Sequence, residues 1–99
     1  MDYMGIIKKL DDNMDNIKTF GVTRIGLFGS FVRDDQTDKS DIDILVVFRK
    51  DQENFDNYMG LLFFLEKLFS KRVDLVIYDN VREELRDSIY GSVKYASEL

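Results

Sequence analysis

Two aspartates one residue apart, Asp41 and Asp43, stand at the head of the apolar run Ile44–Phe48. Side chains alternate along a strand, so residues two apart share a face. Ile42 and Ile44 then point the other way, into a core. Paired carboxylates repel, and an unpaired buried charge is costly. A divalent cation relieves both problems, because hard cations take oxygen ligands. A third acid, Asp74, interrupts another apolar run, Val73–Ile77. If the two runs pair as neighbouring strands, three carboxylates meet, as in sites that hold two Mg²⁺ ions for phosphoryl chemistry. Asp74 acting directly as a general base is the alternative. Upstream, Gly29-Ser30 follows the apolar run Thr23–Phe28. Glycine lets the backbone approach a phosphate closely, and N–H groups opening a helical turn point at it. A plain turn is the competing reading of that dipeptide.

Composition narrows the chemistry. The chain has 99 residues, which fits a single domain over 1–99. It contains neither cysteine nor histidine. Disulfides, thiolate or imidazole metal sites, cysteine nucleophiles and Ser-His-Asp triads are excluded. Carboxylates, hydroxyls, Lys and Arg remain. A net charge of −5 argues against binding nucleic acid directly. The start MDYMGIIKKL lacks the pattern of a signal peptide, and no apolar run reaches the roughly 20 residues of a membrane span. A cytoplasmic protein without a membrane partner is expected.

The elements that must position these residues follow from periodicity. Ile6, Leu10, Met14 and Ile17 recur at helical spacing, which predicts a helix over 2–20 ended by Gly21. Strands are expected at 23–28, 41–48 and 72–78, with Phe31–Arg33 a short helical turn and 34–40 a polar loop. The second strand is apolar on both faces beyond its acids, so it belongs inside the sheet or is covered on both sides. A helix over 55–69 carries Tyr58, Leu61, Leu62, Leu65, Leu68 and Phe69 on one face. Met59, Phe63 and Phe64 widen its apolar surface. Either the C-terminal segment covers them, or the helix is a surface for a partner or a second copy. Asn80 with Glu83 has capping-box spacing, predicting a helix over 81–90 ended by Gly91, then a short strand at Val93–Tyr95. The fold class is α/β: a small mixed sheet flanked by helices.

Gly29-Ser30, ten residues, then Asp41-Ile42-Asp43 resembles the G-S-x10-D-x-D signature of the DNA polymerase β-like nucleotidyltransferase superfamily. In length and third acid the chain is similar to the minimal nucleotidyltransferase (MNT) domains, antitoxins to HEPN-domain toxins. The resemblance runs over nearly the whole chain. It implies a polymerase β-like palm, with Gly29 and Ser30 holding the triphosphate of ATP. Asp41 and Asp43 would bind Mg²⁺, and Asp74 would complete the acidic triad and help activate the acceptor. Arg33 falls in the family's G-S-x-x-R context, as a phosphate or partner contact or a surface residue. Relatives often have Gly after that Arg; here it is Asp34, which adds negative charge at the nucleotide entrance. Larger members carry an acceptor domain that this chain lacks, so the acceptor surface falls to a partner. The implied reaction is transfer of AMP to a tyrosine hydroxyl on a HEPN toxin. Two readings compete: an antitoxin that neutralises its partner by binding alone, and an enzyme acting on a small molecule such as an aminoglycoside.

Overall fold

The computed structural model describes residues 2–96. A four-stranded sheet lies in the order β3-β2-β1-β4, with β1 at Val22–Phe28, β2 at Ile42–Phe48, β3 at Val73–Ile77 and β4 at Lys94–Tyr95. β1 runs antiparallel to β2 and β4, whereas β2 and β3 are parallel. A parallel pair needs a long crossover, and helix α4, Phe55–Phe69, provides it. The sheet is therefore mixed, as expected.

Its two faces are unequal. Ile42, Ile44, Val46 and Phe48 point into the larger core with Ile6 and Leu10 of α1 (Tyr3–Asp12), Met14 and Ile17 of α2 (Met14–Lys18), and Leu61, Leu65 and Phe69 of α4. Leu45 points the other way, into a small cluster with Phe28 and Val81. Ile89 and Tyr90 of α5 (Arg86–Ser92) pack on that cluster. β2 is thus covered on both sides beyond its acids.

The first helix departs from expectation. It breaks at Asn13, whose φ of −113° and ψ of 19° leave the helical region. The Asn13 side-chain amide donates to the Lys9 carbonyl at 2.8 Å, a local bond that competes with the helix. The apolar stripe nonetheless continues across the break, and Gly21 ends the segment with φ of 83°.

The end of the chain departs further. Val81 is extended, not helical, because its side chain is buried against Phe28 and Leu45. Residues 78–80 and 83–85 form 3₁₀ turns, and the helix starts only at Arg86. Gly91 lies inside that helix, and the final strand begins at Lys94. On α4, Phe64 is covered by Phe20, their rings 6.0 Å apart, while Ile89, Tyr90 and Val93 of the C-terminal segment pack on the opposite face of the sheet and Ala96 joins the larger core. Phe63 stays 61 % exposed and Phe55 75 % exposed.

Candidate active site

The site is assembled where β1 ends and β2 and β3 begin. Gly29 leaves β1 with φ of 78° and ψ of −149°, a backbone reserved almost entirely for glycine. It opens the four-residue helix α3, Ser30–Arg33, whose Val32 and Arg33 N–H groups both donate to the Gly29 carbonyl at 3.1 Å. A Cβ on Gly29 would collide with the Asp43 carboxylate, standing 2.8 Å from its Cγ. The missing side chain is therefore what lets Asp43 lie against the turn. The register pairs Phe28 with Asp43 on one side and Asp43 with Asp74 on the other. Asp43 and Asp74 share the face of Leu45 and Val76, the face of the smaller cluster.

Asp41 stands just before β2 rather than within it, so strict strand alternation begins only at Ile42. Its charge still reaches Asp43. Burial first, then the neighbouring charges of Asp74 and Asp41, push the Asp43 carboxyl from 3.8 up to about 6. The Ser30 backbone N–H and the Arg33 guanidinium act against that rise. Arg33 is exposed and pairs with Asp35 at 3.2 Å, so it lies within electrostatic range of the site while held to its own loop. Residue 34 occupies a left-handed conformation, φ of 61° and ψ of 34°. That geometry is the physical reason for a glycine there, and aspartate is among the residues that tolerate it. We expect Asp34→Gly to raise stability by about 0.5–1 kcal/mol, read as a higher urea midpoint at unchanged slope.

The structure thus brings Gly29, Ser30, Asp43 and Asp74 together, with Asp41 and Arg33 at the margin. Among the described residues no group of three acidic side chains is gathered closely enough to hold a metal ion. The donor set still suits a hard divalent cation. It consists of carboxylate oxygens, and burial first, then the like charges around it, hold Asp43 at a raised pKa. Because a metal binds only the ionised carboxylate, affinity for Mg²⁺ should rise steeply with pH up to about 6 and level off above it. Mn²⁺ titration followed by water relaxation at pH 5 and pH 7.5 measures this. Equal affinities at the two values would refute it.

Two side chains with a bearing on the site were not singled out from the sequence. The Tyr58 hydroxyl donates to the Leu75 carbonyl at 2.6 Å, and the Val73 N–H donates to Glu66 Oε2 at 3.0 Å. Burial, with the Asp74 charge second, raises the Tyr58 hydroxyl's pKa. The available signal was weak: a tyrosine and a glutamate in a helix otherwise read for its apolar face. A groove of about 480 Å³ lies outside β3, lined by Phe55, Tyr58, Leu75, Val76, Ile77 and Asn80, among others.

A family model for the nucleotidyltransferase domain matches residues 6–96. The chain belongs to that family. It is 37 % identical over 76 residues to the protein adenylyltransferase MntA of Thermococcus cleftensis, covering 77 % of this chain and 76 % of the relative. A solved structure described as a candidate minimal nucleotidyltransferase superposes with a TM-score of 0.81 at 26 % identity, over 95 % of each chain. A chain of the toxin–antitoxin complex MntA–HepT superposes at 0.59, with 26 % identity over 98 % of this chain and 70 % of that one. The small mixed sheet is therefore the nucleotidyltransferase palm. Among the described residues no helix is long and apolar enough to cross a membrane.

Proposed function

We propose that this nucleotidyltransferase is an antitoxin that transfers AMP from ATP to a tyrosine hydroxyl of a cognate HEPN toxin. The observation that carries the reading is the Gly29 turn seated against Asp43, with Asp74 the next residue across the sheet. A phosphate cradle beside paired acids on adjacent strands is the arrangement that nucleotidyl transfer needs. The adenylyltransferase name of the Thermococcus relative and the toxin partner of the MntA–HepT chain support the donor, the reaction and the acceptor class.

The roles follow from position. Gly29 and Ser30 would hold the triphosphate, and Asp41 and Asp43, with Asp74 completing the triad, would hold Mg²⁺, in two ions by the family's pattern. When bound, the cation lowers the pKa of the acceptor hydroxyl and neutralises the polyphosphate. The acceptor oxygen forms a bond to the α-phosphorus, the bond from that phosphorus to the β-bridging oxygen breaks, and pyrophosphate leaves. In this reading Asp74 takes the hydroxyl proton. Since the cradle lies on the β1 side of Asp43, the acceptor approaches from the side of Asp74 and β3. Arg33 can swing from Asp35 to a phosphate or to the partner.

The exposed Phe63 and Phe55 on α4 support one other reading, neutralisation of the partner by binding alone. Incubating the chain with its partner toxin, α-labelled ATP and Mg²⁺ separates the two. Label on a toxin tyrosine that disappears with Asp41→Asn/Asp43→Asn is the expected result. An inactive but unlabelled toxin would leave the binding reading in its place.

A further inference from the structure

β3 is an outer strand, with β2 as its only neighbour in the sheet among the described residues. The Ile42 N–H donates to the Arg72 carbonyl at 3.0 Å, which fixes the phase of the pairing. The backbone groups of Arg72, Asp74 and Val76 face β2, and those of Val73, Leu75 and Ile77 face outward. Val73 and Leu75 on either side bury their side chains in the larger core, but Asp74 points to the other face. Its side chain is exposed, and among the described residues its carboxylate makes no hydrogen bond or ion pair. The place of the third acid is therefore set by how well its strand is held, and an outer strand held on one side frays.

Two side chains of α4 occupy the open side. Glu66 accepts from the Val73 N–H at 3.0 Å, and Tyr58 donates to the Leu75 carbonyl at 2.6 Å. These are the residues immediately before and after Asp74. Tyr58 and Glu66 lie about two helical turns apart, and α4 runs antiparallel to β3, so each reaches its own end of the tripeptide. Together they stand in for the missing neighbouring strand at the one position where the site needs it. We propose that Tyr58 and Glu66 are positioning residues that hold the Val73-Asp74-Leu75 backbone, and with it Asp74, in line with Asp43 for nucleotidyl transfer. This inference rests on the nucleotidyl-transfer reading above.

The chemistry of each partner makes the idea separable from simple folding. Tyr58→Phe keeps the ring and loses only the donor. Glu66→Gln keeps an acceptor oxygen, whereas Glu66→Ala removes it. The experiment measures initial rates of labelled transfer with the full chain and its acceptor protein, well below each variant's Tm. It also measures amide hydrogen exchange of the chain alone. Tyr58→Phe and Glu66→Ala should each lower kcat by about tenfold with KM for ATP within about twofold, and Glu66→Gln should restore most of the loss. Exchange should quicken at residues 73–77 and stay as in wild type at 44–48. Variants that melt earlier but keep wild-type kcat, or whose exchange at 73–77 is unaltered, would overturn the assignment. Failure of the wild-type chain to label any acceptor would overturn the reaction instead, and the exchange arm would still decide whether these two side chains hold the strand.

Discussion

Gly29→Ala should abolish most activity and weaken the fold together. The residue sits at φ of 78° and ψ of −149°, where an alanine costs about 1–3 kcal/mol in backbone strain alone. The new methyl would also occupy the space of the Asp43 carboxylate. Either the turn moves or Asp43 swings away, and in both cases the acid leaves its place beside the cradle. Displacement of a reacting group by about 1 Å is worth on the order of a hundredfold in rate, so a loss of about 10²–10³ is expected. Gly91→Ala is the matched control. Nothing lies within 4 Å of a Cβ there, and the residue is inside α5, so stability should rise by about 0.5–1 kcal/mol with activity unchanged. Urea unfolding and initial-rate measurements on both variants test the contrast. A Gly29→Ala protein with wild-type rate would show that the close approach of turn and acid is incidental.

Asp43→Asn should separate activity from stability in the opposite way. Loss of a charged oxygen donor at the centre of the acidic group should reduce transfer by on the order of 10³-fold or more. The protein itself should become more stable near neutral pH in metal-free buffer. The sign follows from the raised pKa. Asp43 binds its proton more tightly in the folded chain, at about 6, than at the ordinary value of 3.8. Its contribution to stability is full below about pH 4 and is lost as pH rises through about 6. Asparagine is uncharged throughout, so the gap between variant and wild type should open across that window and stay open above it. The shift sets a ceiling of about 3 kcal/mol, and solvent around a half-buried carboxylate brings this to about 1 kcal/mol. Thermal melts in EDTA at pH 4, 6 and 8 read the gap directly. A variant less stable than wild type at pH 8 would mean that Asp43 holds the fold through its charge, contrary to the repulsion inferred from its neighbours.

The catalytic geometry was partly legible in the order of residues. Asp41, Asp43 and the Gly-Ser turn lie close in sequence, and their spacing survives into space because β1 and β2 pair antiparallel as consecutive strands, with residues 29–41 and α3 between them. The approach of Asp74 was conditional. It depends on which strand β3 joins and in which register, and that is decided by the crossover through α4 and the packing of Leu61, Leu65 and Phe69. Local signals failed where a non-local contact outweighed them. Asn80 and Glu83 have the spacing of a cap, but burial of Val81 holds the backbone extended between them. The break at Asn13 hangs on one side-chain hydrogen bond that leaves the apolar period untouched, so the periodicity could not reveal it. The bonds from Tyr58 and Glu66 join residues of separate elements, and no spacing rule encodes them.

The sheet order carries a further consequence, for the route by which the chain reaches this state. β1 and β2 are consecutive strands, separated by residues 29–41 with α3, and pair antiparallel, so their contact closes the shortest loop in the sheet. Loop-closure entropy favours such contacts first. β3 joins only after α4 has been crossed, and β4 must return across almost the whole chain to reach β1. The hairpin that carries the Gly29 turn and Asp43 is therefore set to form early, with both of its edges open. Asp74 is added when α4 docks and Tyr58 and Glu66 close over the new strand. A nascent chain stalled before that step would hold two of its three acids in place and lack the third.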